Sequence, residues 1–328
     1  MNKNALLAMA EQHLTLTRPV ARTHRDDVIR DRAKFGYRKN LLRSFVHFWS
    51  ANKCPWPIPS TLALDWVCEG SKPGRPYRDR HRLFAVSGFL KHLRTVEPAT
   101  EVPRNVFRKP TRRPPRLLSD QEVVGLMKAT AQLRACPAFR RLTLTTLLGL
   151  LASTGLRIGE ALRLKKDDVH LDADPPHLAI YETKFGKSRI VVLHPTVASC
   201  LQAYAEQRAS ALSNQSAEAF FTNHAGKPLS YNGTWVTFLR LLRHAGITSA
   251  GDARAVTLHS LRHGFAVKRL TLWHRAGENV SELLPHLTVY LGHLDPKDTY
   301  WYLTATTELL ETASERFELH QRQGAAQS

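Results

Sequence analysis

Two tyrosines, Tyr300 and Tyr302 in the run LGHLDPKDTYWYL, follow a dispersed set of cationic and imidazole side chains: Arg157 in TGLRIGE, Lys184 in ETKFGKSR, His259 and Arg262 in HSLRHGFA, and His293 in LGH. Attack on a phosphodiester needs a nucleophile, positive charge at the non-bridging oxygens, and a proton for the leaving oxygen. A phenol, two arginines and a lysine are one way to meet those three needs. Arg157, just after Gly155 at a turn between helices, would offer a planar fork to a phosphate, with Glu160 one turn on to orient it. Lys184 sits between two β-forming runs, where an ammonium can donate to a leaving 5′-oxygen; Lys187 and Arg189 compete for that role. His259 and Arg262 are three apart and share a helix face, and His259 stands at the helix start, where amide dipoles favour an anion. His293, after Gly292, would bond the phosphate or cap a helix. His263, four from His259, has the spacing of a zinc pair. There is no Glu between them as in HExxH and no third ligand, so no metal is expected, and no cofactor. Taken singly, each residue has a commoner structural use as an ion pair, a solvated turn or a cap, and Trp273, Trp301 and Phe265 read as core.

The elements that must position these groups are mostly helical. FGYRKNLLRSFVHFW places Phe35, Leu41, Leu42, Phe45, Val46 and Phe48 at helical spacing. PSTLALDWVCEG follows, with Ser60 or Thr61 as N-cap. RDRHRLFAVSGFLKHLRTV carries an apolar stripe of Leu83, Phe84, Val86, Phe89, Leu90 and Leu93 beside a basic face. In LLSDQEVVGLMKAT, Ser119 and Glu122 form a capping box. RRLTLTTLLGLLASTG is a buried helix ending at Gly155, and RIGEALRLKKDDV is another helix. HLAIYET and SRIVVLH flank KFGK as a β-hairpin. Helices resume in TVASCLQAYAEQRAS, YNGTWVTFLRLLRHAG, HSLRHGFAVKRLTLWHRAG and LLPHLTVYLG, and the tail TELLETASERFELHQ is amphipathic through Leu309, Leu310, Ala313 and Phe317. The fold class is mainly α with a small β-hairpin or sheet (α+β). The expected organisation is an N-terminal arm over 1–25, a basic helical DNA-binding domain over 26–100, a Pro- and Arg-rich linker over 101–116, and a mixed α/β catalytic domain over 117–328.

Charge narrows the partner. The 328 residues carry a formal net charge of +19. Residues 1–116 hold 24 Lys and Arg against 9 Asp and Glu, a net of +15, whereas residues 117–328 hold 23 against 19, a net of +4. Such an asymmetric excess points to a polyanion. The linker arginines Arg112, Arg113 and Arg116 are placed to run along a phosphate backbone. Four scattered cysteines without metal spacing read as reduced thiols in the cytoplasm. No apolar run of ~18 residues exists, so no membrane span is expected.

Residues 117–318 resemble the catalytic domain of the tyrosine recombinases, the phage integrase family. TGLRIGEALRLKKDDV, TKFGKSRIVVLH, HSLRHGFA and YLGHLDPKDTYWYL carry the resemblance, in the family's order. The resemblance implies that Arg157 and Arg262 clamp the scissile phosphate and that Glu160 supports them. It implies that Lys184 protonates the 5′-oxygen, that His259 accepts a proton or binds the phosphate, that His293 is the second histidine, and that Tyr302 is the nucleophile. Tyr300 is out of register. The implied partners are double-stranded DNA, a homotetramer joined through the C-terminal tail, and accessory recombinases. Two departures, the length of VKRLTLWHRAGENVSELLPHLTV and the TYWYL context, resemble a transposon-associated branch. The competing expectations are a DNA-binding homologue without catalysis and a type IB topoisomerase-like enzyme, which would use similar chemistry.

Overall fold

Apolar spacing of three and four residues dominates the chain, and helices follow from it almost everywhere. The computed structural model describes residues 1–17, 25–69, 76–104, 106–107, 116–133, 137–181, 188–212, 217–248, 255–293 and 295–304. The chain divides into two units, Met1–Thr111 and Arg112–Ser328, so the division falls within the expected linker.

The first unit contains helices α1 (Lys3–Leu16), α2 (Arg25–Ala51), α3 (Ser60–Cys68) and α4 (Pro76–Leu93). The N-terminal arm expected over 1–25 is, across residues 3–16, an integral helix instead. Leu6, Ala10 and Leu14, one turn apart, bury a stripe against Phe45, Trp49, Trp66 and Phe89. Asn2 caps α1 by accepting from the Ala5 amide at 2.8 Å. Neither Ser60 nor Thr61 caps α3. Ser60 is its first helical residue, and its amide and hydroxyl donate to Glu101 at 2.8 and 2.6 Å. A carboxylate 41 residues away thus does the work expected of a local side chain. Glu101, Val102 and Phe107 thereby tie the start of the linker to this unit. Phe84, expected in the buried stripe of α4, is 79% exposed instead. The helix buries Val86, Phe89, Leu90 and Leu93 and turns Phe84 outward.

The second unit contains α5 (Asp120–Ala131), α6 (Ala138–Thr154), α7 (Ile158–Arg163), strands β1 (Val169–His170), β2 (His177–Ile180) and β3 (Arg189–Val192), then α8 (Pro195–Ala211), α9 (Tyr231–His244), α10 (Leu258–Arg275), α11 (Val280–Leu291) and α12 (Lys297–Thr304). The mainly α class with a small sheet holds. The hairpin β2–β3 pairs Ile180 with Arg189 and His177 with Val192, and β1 adds a third antiparallel strand, pairing Val169 with Leu178. The helix expected through RIGEALRLKKDDV stops at Arg163 because Leu164 turns extended and its carbonyl accepts from the Phe220 amide at 2.7 Å. The capping box on α5 is present: Ser119 accepts from the Glu122 amide at 3.1 Å, and Glu122 accepts from the Ser119 amide at 2.8 Å. The main core surrounds α6, through Leu147 and Leu151, and joins it to Leu178, Val191, Leu201, Phe221 and Phe238. A separate apolar cluster joins α10, α11 and α12 through Val267, Leu270, Leu284, Leu287 and Tyr302. Among the described residues no helix is long and apolar enough to cross a membrane.

Gly155 ends α6 in the left-handed conformation, at φ +64°. A methyl group there would meet Phe265 Cδ1 at 2.6 Å and Leu291 Cδ2 at 3.1 Å. Gly155→Ala is therefore expected to lower stability by about 1–3 kcal/mol through backbone strain, with the clash adding to it. Urea denaturation of the two proteins checks this; an unchanged midpoint would show that the α6–α7 turn tolerates a side chain.

Candidate active site

The last turn of α11 leaves backbone carbonyls without helical partners, at the negative end of the helix dipole. Three arginines from three different elements satisfy them. Arg189 Nε donates to the Tyr290 carbonyl, Arg262 Nη2 to Leu291, and Arg157 Nη2 to Gly292, at 2.8, 2.8 and 2.9 Å. Gly292 takes φ +69°, and its amide and that of His293 fold back to Val289 and Thr288 at 2.9 and 3.0 Å, a Schellman closure. A Cβ at residue 292 would stand 2.8 Å from Arg189 Nη1, so only glycine lets the carbonyls and guanidiniums approach this closely.

Glu160 holds the same arginines from the other side. It is 4% exposed. Its carboxylate accepts from the Arg157 amide at 3.0 Å, from Arg157 Nη1 at 2.9 Å, and from Arg189 Nη1 and Nη2 at 3.1 and 2.8 Å. Burial by itself would push this carboxyl up, but hydrogen bonding and charge from Arg189, then Arg157, hold it down at about 2. Arg262, 1% exposed, also donates to the Gly155 carbonyl at 2.8 Å. Burial, with Arg157 adding repulsion, brings its guanidinium down to about 10. Its Nε is buried with no hydrogen-bond partner among the described residues. Arg157 keeps 28% of its side chain exposed. Among the described residues, three guanidiniums against one carboxylate leave the cluster short of negative charge.

Tyr302 lies close enough to Arg262 that an ionised phenol opposes, in small part, the fall that burial imposes on the guanidinium. Tyr302 is 2% exposed, and its hydroxyl lies 2.8 Å from His263 Nδ1. The His293 ring stacks on it at 6.3 Å and 19°. His293 is in turn fixed by Thr299, whose Oγ1 lies 2.7 Å from Nδ1, and the buried Thr299 hydroxyl lies 3.0 Å from that of Thr288. His259 is exposed, at the second position of α10, with its ring edge-on to His263 at 4.4 Å.

The expected residues Arg157, Glu160, Arg262, His259, His293 and Tyr302 thus gather in one place, at the ends of α6, α10 and α11 and along α12. Tyr300, two residues earlier, is 49% exposed and turned away from the cluster's interior. Lys184, its competitor Lys187, and the linker arginines Arg112 and Arg113 lie outside the described residues. Arg116 is described and is held by Glu122, the capping-box carboxylate, at 3.1 Å from Nη1. It is thus a partner of α5. Arg189 is no competitor for Lys184: its fork is spent on Glu160 and its Nε on Tyr290. Two groups went unread in the sequence, Arg189 as a cluster member and His263 as the partner of the phenol. The signal for Arg189 was its place as the first residue of an alternating strand. His263 lies one position beyond Arg262, on the same helix as His259.

The model of the phage integrase family matches residues 116–308. The chain is 37% identical over 284 residues to the provisionally named integrase/recombinase y4rE of Sinorhizobium fredii, covering 86% of this chain and 89% of that protein. It is 32% identical over 222 residues to the tyrosine recombinase XerD of Mycobacterium leprae, covering 65% of this chain and 64% of that one. The site-specific recombinase XerH, solved in a post-cleavage complex with its difH substrate, superposes with a TM-score of 0.71 at 17% identity, covering 96% of this chain and 97% of that one. At that identity the likeness is one of fold.

Glu160→Gln keeps the shape of the side chain and removes the charge that two arginines share. Breaking a buried pair in this way is expected to cost about 3–5 kcal/mol. The pH response has a definite sign. The carboxyl is depressed from 4.5 to about 2, so its contribution is complete above pH 4.5 and is lost as pH falls toward 2. Melting temperatures measured across that range should fall in the parent protein, and the Gln variant should lack that part of the slope. Parallel curves would show that Glu160 does not carry the ion pairs.

Proposed function

Because this chain belongs to the phage integrase family, we propose that it is a site-specific DNA recombinase that cuts and rejoins strands through a 3′-phosphotyrosine intermediate. One observation carries the reading: a buried phenol lies beside a cluster of three guanidiniums that a single carboxylate leaves under-compensated. A phosphodiester brings the missing negative charge to the place where the nucleophile stands.

Arg157 and Arg262 bind the non-bridging oxygens, with His259 and His293 as further ligands, and Glu160 and Arg189 fix the arginines in place. The Tyr302 oxygen attacks phosphorus, the bond to the 5′-oxygen breaks, and Lys184 donates the proton that oxygen takes up. A 5′-hydroxyl from a partner duplex then attacks the phosphotyrosine and releases the phenol. One phosphoester bond is exchanged for another at each step, so no external energy source is needed. Tyr302 and Arg262 are 2% and 1% exposed, so a phosphodiester reaches both only when the surface over them opens.

Double-stranded DNA is the partner. The basic excess of residues 1–116 and the arginines Arg112, Arg113 and Arg116 support phosphate contacts, Arg116 at the expense of its Glu122 pair. Assembly is as a homotetramer through the amphipathic tail, with accessory recombinases, in the cytoplasm; the tail lies outside the described residues.

Sequencing the DNA trapped on the protein in cells supplies the site, and a nicked suicide duplex carrying it tests the chemistry. The expected product is protein joined to a 3′ end, formed equally well with a chelator present, abolished in Tyr302→Phe and retained in Tyr300→Phe. An adduct in Tyr302→Phe overturns the nucleophile assignment. No adduct in the parent protein, with binding intact, favours a DNA-binding homologue without catalysis. Loss of cleavage on adding chelator would refute metal-free strand exchange. Affinity should fall steeply with added salt; a flat response would remove the basic first unit from the DNA contact.

A further inference from the structure

In the residue pattern His263 is only an unused neighbour of Arg262. In the structure its buried Nδ1 stands 2.8 Å from the Tyr302 hydroxyl, within the reach required of a general base. Its ring also meets the rings of Tyr302 and Trp301, at 5.4 and 5.8 Å, and so is held in one orientation from the α12 side. Toward solvent it meets the exposed His259, edge-on at 4.4 Å.

We propose that His263 is a catalytic residue, the base that takes the Tyr302 proton as the phenol attacks phosphorus and returns it when the phosphotyrosine is resolved. The inference rests on the recombinase reading and adds the fate of the nucleophile's proton to it. In the forward step the O–H bond of Tyr302 breaks, its proton goes to Nδ1, the new bond forms between the phenol oxygen and phosphorus, and the bond to the 5′-oxygen breaks. In the return step the incoming 5′-hydroxyl gives its proton to the neutral Lys184 amine and displaces the phenol oxygen, which recovers the proton from the imidazolium. His259 is then left to bind phosphate, at the start of α10 where the helix dipole favours an anion.

The groups facing His263 are mostly cationic or neutral. They are His259 and Arg262 on its own helix, Tyr302 on α12, and His293 in the turn before α12. Behind Arg262 stand Arg157, Glu160 and Arg189. A base can take the phenol's proton only when it holds none itself, so cleavage should rise with pH as His263 loses its proton, then level off.

The test is single-turnover adduct formation on the suicide duplex, followed against pH. His263→Asn sets an amide at the place of Nδ1, able to hydrogen-bond the phenol but unable to accept its proton. Its rate should fall on the order of 10²–10⁴-fold, and the levelling should disappear. A ring-fluorinated, more acidic tyrosine at position 302 should then recover much of the loss. A variant that cleaves like the parent, or one that is slow with the parent's pH profile and no recovery, overturns the proposal while leaving the recombinase reading intact. No adduct from the parent protein overturns both. Should His263→Asn fail to fold, fluorinated tyrosine in the otherwise unaltered chain decides. A rising limb that stays in place belongs to His263; one that moves with the phenol's acidity sinks the assignment.

Discussion

The catalytic unit depends on one buried carboxylate. Glu160 carries the negative charge that lets Arg157 and Arg189 sit close together out of water, and those two share their volume with Arg262. An isolated buried ion would be expelled or neutralised, and three like charges would also repel one another. The carboxylate persists in its charged form because four N–H donors converge on it, and the arginines persist because it and the carbonyls of α11 absorb their remaining donors. The cluster is compensated enough to fold but not enough to be electrically satisfied, which suits the phosphate binding proposed for it.

The C-terminus of α11 is the frame for that charge. Tyr290, Leu291 and Gly292 each give one carbonyl to one arginine, so three segments far apart in sequence are brought into register by a single helix end. The arrangement uses a feature common to all helices, the unpaired final carbonyls, and gives it a specific role. Gly292 is needed twice, for the left-handed turn and for the approach of Arg189. Gly155 does similar work at the end of α6, where its carbonyl receives Arg262 and its missing side chain leaves room for Phe265 and Leu291. The ends of α6 and α11 are thus locked to α10 through one guanidinium.

Tyr302 belongs both to the charge cluster and to the apolar cluster of α10, α11 and α12. Its ring packs as core while its hydroxyl is hydrogen-bonded to a histidine, as a buried phenol requires. The polar chain from His293 through Thr299 to Thr288 anchors the same short helix at its other side. Trp301, Tyr302 and Leu303 pack that helix against α10 and α11.

Much of this was legible in the chain itself. Helical periodicity, the Ser119–Glu122 box, the hairpin flanking KFGK and the position of Gly155 are local patterns, and local patterns survive in sequence. The residue types needed for phosphate chemistry were legible too, and the family resemblance, through its register from His293, set Tyr302 apart from Tyr300. What the sequence left open was every interaction whose partners are distant. Glu101 caps α3 across 41 residues. Residues 3–16 read as an arm because their apolar stripe has meaning only against α2 and α4. Arg189 looked like a mobile hairpin cation, and His263 like a discarded zinc ligand. Each acquired its role from groups about 29 and 39 residues away. The sequence determined which side chains were available and which helices would carry them. Only the tertiary structure decided which charges face each other, because burial and hydrogen-bond geometry are properties of the assembled unit and not of any one segment.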